Sequence, residues 1–211
     1  IMKRNYFKNI LFKSHYFFSF LIFQLFFSIV FSQSINFKYG EFDLTNSYED
    51  FLKEEPVAPS LNQTNYYKIL RFNSIPKRET RSELESKGIL FLDYISQNTY
   101  TVSIPYNFLK SNLVGYDITH VQNIPAILRC DPAIFESPIP QWADKGDKIN
   151  LEIILMKNYE LNFFLKYLDA LGSTIIDINS SANIVRCGFP KNKLVELSEI
   201  EYVNFISFIS A

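Results

Sequence analysis

Histidine and cysteine are the side chains of this sequence best suited to catalysis or metal binding, and the 211 residues contain only two of each. His15 lies in an N-terminal targeting segment, which leaves His120. A Ser-His-Asp site needs an imidazole that is positioned by a carboxylate. His120 instead lies between Thr119 and Val121 in a predicted edge strand. We therefore expect a partly exposed strand histidine rather than a catalytic base.

The remaining patterns also lack the spacing that chemistry requires. Cys130 and Cys187 are far apart and have no histidine partner at zinc-ligand spacing. The six glycines are isolated, so none forms a phosphate-binding loop. Glu54 with Glu55, and the glutamates of 83–85, fall on segments expected to be solvated. We expect no enzymatic activity in this chain, no metal site and no cofactor.

Charge excludes another class of function. The net charge is −1, and basic and acidic residues are mixed along the chain. A nucleic-acid-binding protein needs a concentrated basic stripe. We therefore expect no nucleic-acid partner.

The N-terminus has the pattern of a signal peptide. Basic residues precede an apolar run at 17–31, and Val30 and Ser32 place small residues where cleavage requires them, between Ser32 and Gln33. The alternative is a membrane anchor, but the run is shorter than the roughly 20 apolar residues of a span. We expect residues 1–32 to be removed, which leaves a secreted chain without a stable membrane anchor.

An internal repeat organises the rest of the sequence. Two segments of similar length each predict the order strand-helix-strand-strand-helix-strand, and their landmark residues recur at nearly constant spacing. This order is that of the ferredoxin-like βαββαβ unit, whose antiparallel sheet carries both helices on one face. The matched landmarks are Leu84 and Leu168, Gly88 and Gly172, Asp93 and Asp177, Pro105 and Pro190, Leu109 and Leu194, and Ile118 and Val203.

The predicted fold class is α+β, with two tandem ferredoxin-like domains of antiparallel sheet. The predicted segments are a signal peptide (1–32), an extended leader (33–65), a first domain (66–124), a proline-rich linker (125–148) and a second domain (149–211). Trp142, in the linker, is predicted to fill the seam between the domains.

Strand alternation predicts which side chains face the helices. Cys187 is among them, which favours a buried free thiol, although export also permits a disulfide with Cys130. The predicted helix-facing residues are Leu70, Phe72, Tyr100, Val102 and Ile104 in the first unit, and Ile153, Leu155, Val185, Cys187 and Phe189 in the second.

Three stretches resemble the N-terminal pro-region of secreted bacterial subtilisin-like serine peptidases (subtilases). They are 67–76 with the charged helix that ends at Gly88, then 92–102, and the Pro-x-Trp-Ala joint at 138–143. The resemblance covers residues 66–211. It implies an intramolecular chaperone and temporary inhibitor of a subtilisin-like catalytic domain, supplied in cis or in trans. It also implies that the open face of a pro-domain sheet packs on two helices of that domain.

The sheet face away from the helices then holds the residues expected to contact the partner. Of the two units, the second has the more apolar far face, so we expect that face to be covered by a catalytic domain or by the first repeat. The predicted partner-facing residues are Tyr67, Ile69, Arg71, Thr101, Ile154, Met156, Ile184 and Arg186.

The catalytic contexts of subtilases are absent from the sequence. No Asp-Thr-Gly, His-Gly-Thr or Gly-Thr-Ser-Met occurs. We therefore expect a fragment of a longer precursor, or a stand-alone relic. Two other functions stay open: a secreted binding or adhesion module unrelated to proteolysis, and a peptidase inhibitor acting in trans.

Overall fold

A short hairpin and a helix precede the two main sheets. The computed structural model describes residues 34–37, 40–54, 64–135 and 138–209. Strands β1 (Ser34–Phe37) and β2 (Gly40–Asp43) pair as an antiparallel hairpin, and helix α1 spans Tyr48–Lys53. Ser47 caps this helix because its hydroxyl accepts the Asp50 N–H at 3.1 Å. The prediction of an extended leader over 33–65 is therefore wrong for these residues.

The first main sheet has four antiparallel strands in the order β4-β5-β3-β6. Helix α2 ends just before Gly88, whose φ of 99° is a conformation that favours glycine. A Cβ at Gly88 would also lie 3.2 Å from Pro105. The helix predicted after Pro105 is only a 3₁₀ turn at Lys110–Leu113, with Leu113 buried. The elements are β3 (Asn65–Phe72), α2 (Arg78–Ser86), β4 (Leu90–Tyr94), β5 (Thr99–Pro105) and β6 (Ile118–Asn123).

The second main sheet repeats this pattern of pairing, with the order β11-β8-β10-β9, and a short strand β7 also pairs with β8. The predicted α+β class with antiparallel sheets is thus confirmed. The elements are β7 (Asp144–Lys145), β8 (Lys148–Leu155), α3 (Leu161–Ala170), β9 (Thr174–Asn179), β10 (Ile184–Pro190), α4 (Leu194–Ser198) and β11 (Val203–Phe208).

Each sheet buries its helix-facing side chains as the alternation predicts. All ten residues predicted to face the helices are buried, including Cys187. In the first unit they cluster with Leu84 of α2, and in the second with Phe164 and Leu168 of α3. We call the described residues up to 124 the first half and those from 125 the second half. The second cluster also contains Tyr67 and other residues of the first half, so the two halves share a hydrophobic core.

The predicted linker is a folded part of the second half. It contains 3₁₀ turns at Ala126–Arg129 and Pro132–Ile134, and Cys130 forms a parallel bridge with Ile206 of β11. The buried Arg129 guanidinium donates hydrogen bonds to the carbonyl oxygens of Ile200 and Val203. Contacts accordingly hold the described residues between 34 and 209 in one compact unit.

Trp142 does not fill a seam between domains. Its side chain is 45% exposed and packs edge-to-face on Phe208, with ring centroids 5.5 Å apart. Phe208 belongs to β11, so Trp142 packs on one end of the second sheet.

The predicted cleavage site at Ser32 and Gln33 lies outside the described residues. Within the described residues, no helix is long and apolar enough to span a membrane.

Candidate functional site

Half of the predicted partner-facing residues are buried inside the chain. Tyr67 and Met156 are each 2% exposed, Ile69 is 0% exposed and Thr101 is 8% exposed. The prediction that these four contact a separate partner is therefore wrong. The alternation placed Tyr67, Ile69 and Thr101 correctly on the far face of their strands, but it could not show that another part of the chain covers that face. Met156 instead lies just after β8 and is buried in the core.

The second half supplies much of this cover. Tyr67 and Ile69 share a hydrophobic cluster with Ile35 of the first hairpin and with Met156. The Asn158 amide donates a 2.7 Å hydrogen bond to Ser103 Oγ. The central strands β3 and β5 of the first sheet are consequently covered on both faces.

A charged contact joins the halves at the first sheet's edge. Lys157 Nζ lies 2.6 Å from Asp93 Oδ1 and donates a 3.1 Å hydrogen bond to the carbonyl oxygen of Leu92. The ion pair with Asp93 of β4 and the Asn158 hydrogen bond to Ser103 of β5 place the turn after β8 against these two strands. The sequence allowed the first repeat to cover the far face of the second sheet. In the structure the arrangement is the reverse, because the second half covers the far face of the first sheet.

The far face of the second sheet is the surface that no described element covers. We call it the open face. Its side chains come from all four strands, and each is at least partly exposed. The register pairs them directly across neighbouring strands. The open face consists of Glu152, Ile154, Asp177, Ile184, Arg186 and Ser207.

Arg186 lies at the centre of the open face between two carboxylates. Its Nη2 is 2.7 Å and its Nε 2.8 Å from Glu152 Oε2, and its Nη1 is 2.8 Å from Asp177 Oδ2. These contacts raise the pKa of Arg186, and the hydrogen bond to Glu152 contributes more than the one to Asp177. The cluster carries three charges in fixed positions, flanked by Ile154 and Ile184, as a protein-binding surface with an apolar part and directional polar groups requires.

Arg71, the remaining predicted residue, lies on the first sheet and donates a 3.3 Å hydrogen bond to Gln97 Oε1. It is thus separated from the open face. Of the eight predicted residues, the structure brings together Ile154, Ile184 and Arg186. Sequence reasoning missed Asp177 and Ser207 as members of this surface. Asp177 could have been found, because its position five residues after Gly172 matches Asp93 after Gly88.

His120 lies on edge strand β6, as predicted, and is partly buried. Its Nδ1 is 3.0 Å from Thr119 Oγ1, so its neighbour is a hydroxyl and not an orienting carboxylate. Burial, with a smaller contribution from Arg71, lowers the pKa of His120. These surroundings suit a structural residue.

Both cysteines are buried as free thiols. Burial raises the pKa of Cys130 to about 11 and the pKa of Cys187 to about 12. Such thiols are almost entirely protonated at neutral pH and are poor nucleophiles. Among the described residues, no group of three or more His, Cys, Asp or Glu side chains could hold a metal ion.

A cavity of about 320 Å³ lies between helix α1 and the first sheet. Its walls are mostly apolar, and two lysines reach into it. Lys110 Nζ donates to the carbonyl oxygens of Phe51 at 2.7 Å and Glu54 at 2.8 Å, and Lys68 Nζ donates to Asn123 Oδ1. Because both ammonium groups already bind groups of this chain, we interpret the cavity as part of the joint between α1 and the sheet.

Comparison with known proteins gives one match. Residues 36–125 match the family described as "Domain of unknown function (DUF8729)". This range is less than half of the 211 residues. It includes most of the N-terminal hairpin, α1 and the whole first sheet, which agrees with the observed packing of the hairpin and α1 against that sheet. No curated protein and no solved structure matches the chain.

Proposed function

We propose that this chain is a secreted, non-catalytic protein-binding unit that acts as the pro-region, and hence the chaperone and inhibitor, of a subtilisin-like serine peptidase. The open face of the second sheet is the surface that would dock on the catalytic domain. The first sheet is an internal support in this proposal.

Strand order supports the domain type. Numbered within each repeat, the strands lie in the order 2-3-1-4 in the first sheet and 4-1-3-2 in the second, which is the same order viewed from opposite edges. All neighbouring strands are antiparallel. We propose that each repeat is a ferredoxin-like unit, the type that the resemblance to subtilase pro-regions implies.

The open face is the single observation that carries the proposal. Its Ile154 and Ile184 offer apolar contact, while Arg186 is already paired with Glu152 and Asp177. A partner that covers this face would therefore not leave Arg186 unpaired, and a basic group of the partner would balance the net charge of −1 that the three side chains carry. A sheet face of this kind suits packing against the side of one or two helices.

Inhibition of subtilases tests this function. The full chain, and in parallel residues 34–211, would be titrated against a panel of subtilases with a chromogenic peptide substrate. We expect slow, tight inhibition of at least one enzyme. If none is inhibited at any concentration, the inhibitor proposal is overturned and the binding or adhesion module becomes the better account.

Matched variants locate the surface. Ile184→Glu places an unpaired charge on the open face, and we expect it to raise the inhibition constant at least tenfold, or about 1.4 kcal/mol. Val195→Glu is the control, since Val195 is 63% exposed on α4 and lies away from the open face. Equal losses in both variants would show that inhibition does not use the open face.

A further inference from the structure

The four outer edges of the two main sheets differ in how this chain covers them. At the β6 edge, Asn46 Nδ2 donates a 2.9 Å hydrogen bond to the carbonyl oxygen of Val121. At the β11 edge, Asp131 N–H donates at 2.8 Å to the carbonyl oxygen of Ile206. At the β4 edge, Lys157 Nζ donates a hydrogen bond to the carbonyl oxygen of Leu92. Each of these three edges thus has a backbone group that another segment of the chain satisfies.

Strand β9 is the remaining edge, and no described segment pairs with its outer side. All six residues of Thr174–Asn179 are exposed. Three of them are isoleucines, Ile175 at 39%, Ile176 at 54% and Ile178 at 41%. Exposed apolar edge strands readily pair with another strand, and proteins usually prevent this with lysine, proline, a β-bulge or a covering segment.

β9 contains neither lysine nor proline. Its one charged residue, Asp177, is bound to Arg186 of the same chain at 2.8 Å. Arg186 therefore offsets part of the Asp177 charge, and because Glu152 shares the same guanidinium the three side chains keep a net charge of −1. A bulge opposite Arg186 and Cys187 is the remaining irregularity of this edge, and it leaves Ile176 without a cross-strand partner.

We propose that β9 pairs antiparallel with β9 of a second copy of this chain, about a two-fold axis between Ile176 and Asp177. Such an interface uses the same residues on both subunits and joins the two second sheets into one continuous sheet.

The sequence of β9 is self-complementary in this register. Ile175 of each copy lies opposite Ile178 of the other. Within the chain, Ile175 pairs with Cys187 and Ile178 with Val185, so both isoleucines project to the helix-facing side. Four exposed isoleucines therefore meet in one apolar cluster. The like charges of the two Asp177 side chains are not opposite each other, because each lies across from Ile176.

The size of the contact sets the expected strength. Six residues a side is well below the roughly 20–30 residues a side of a standard interface. We therefore expect a weak, reversible dimer with a dissociation constant on the order of 1 mM to 100 µM. Association through the edge leaves the open face exposed, so this proposal does not depend on the proposed inhibitor function.

Sedimentation equilibrium of the full chain and of residues 34–211, over a wide concentration range, tests the pairing. We expect a monomer–dimer equilibrium that Ile178→Lys shifts at least tenfold toward monomer. Val195→Lys, at a more exposed position on α4 (63% against 41% for Ile178), is the control and should leave it unchanged. Because Ile178 is exposed, its variant should unfold at the same urea concentration as the parent.

A double variant fixes the register. Ile175→Cys with Ile178→Cys should form disulfide-linked dimers in mild oxidant, because the two thiols of neighbouring copies face each other. A chain that stays monomeric throughout, or a dimer that Ile178→Lys does not weaken, would overturn the proposal and leave the edge to a strand from a different protein.

Discussion

The two main sheets place different residues at the same point of their register. In the first sheet Ile69 of β3 lies opposite Thr101 of β5, and in the second Glu152 of β8 lies opposite Arg186 of β10. An aspartate of the second strand adjoins each pair, Asp93 beside Thr101 and Asp177 beside Arg186. The first pair is buried and the second is a partly exposed ion pair.

This difference shows how a repeated unit can acquire two roles. An uncharged pair lets the first sheet accept a covering layer without burying charge, whereas the ion pair keeps the second face compatible with water. The one carboxylate beside the first pair, Asp93, forms an ion pair with Lys157 from the second half, so it is not left unpaired by the covering layer. The sheet that supports and the sheet that presents a surface are thus distinguished by a few side chains.

The largest expected effect comes from exchanging one residue between the sheets. Ile69→Glu gives the first sheet the residue of the second and buries a charge without a partner. We expect it to lower the free energy of unfolding by about 4 kcal/mol or more. Urea unfolding followed by circular dichroism measures this.

Two further variants keep that comparison decisive. If Ile69→Glu does not fold, Ile69→Ala should still cost about 2–5 kcal/mol, as expected for a fully buried isoleucine. Ile154→Ala, on the open face, should cost about 1 kcal/mol or less. Equal losses for Ile69→Ala and Ile154→Ala would contradict the assignment of one covered and one open face.

The next effect is a loss of stability at alkaline pH that arises in the second sheet. Burial raises the pKa of Cys187 to about 12, while its counterpart in the first sheet is Val102, which does not titrate. The unfolded thiol, with a pKa near 9, loses its proton first, so stability is fully present below pH 9 and falls as pH rises toward 12.

At pH 10 this single thiol should cost about 1.4 kcal/mol relative to neutral pH. Cys187→Val removes that part of the pH dependence, and urea unfolding at pH 7.5 and pH 10 would detect the change. The buried tyrosines also have raised pKa values and act in the same direction. An unchanged pH slope in Cys187→Val would contradict the burial of this thiol.

The smallest effect concerns the two aspartates. Asp93 pairs with Lys157 at 2.6 Å, and the side chains are 49% and 63% exposed. Asp93→Asn should cost about 0.5 kcal/mol, as is typical of exposed ion pairs, and 1 M salt should abolish the difference. Asp177→Asn should behave alike. Urea unfolding at two salt concentrations measures both, and a loss at Asp93 of several kcal/mol would mean that this contact holds the halves together.

The order of the elements could be predicted from the sequence because local signals fix it. Gly88 and Gly172 have positive φ and end helices where their spacing indicates. Alternation likewise identified the buried side of each strand. The contribution of residues 34–54 and 126–134 could not be predicted, since their buried side chains, such as Ile35, Phe51 and Ile134, are isolated and follow no period.

The sequence also could not predict whether the face away from the helices is exposed in each sheet. Alternation gives two faces, but which of them another segment covers depends on contacts between residues distant in sequence, such as Asn158 with Ser103. Composition alone favoured cover over the second sheet, because it counted Ile154 and Ile184 but not the pairing of Arg186 with two carboxylates.

Thiol labelling at two serines tests the central claim most directly. Ser103 is 1% exposed on the covered face of the first sheet, whereas Ser207 lies partly exposed on the open face opposite Glu152. The variants Ser103→Cys and Ser207→Cys would be compared for their rates of reaction with a maleimide, since the native thiols are buried. We predict rapid labelling of Ser207→Cys, protection of Ser103→Cys until the chain unfolds, and slower labelling of Ser207→Cys once an inhibited subtilase is bound. Equal rates in the two variants would contradict the account.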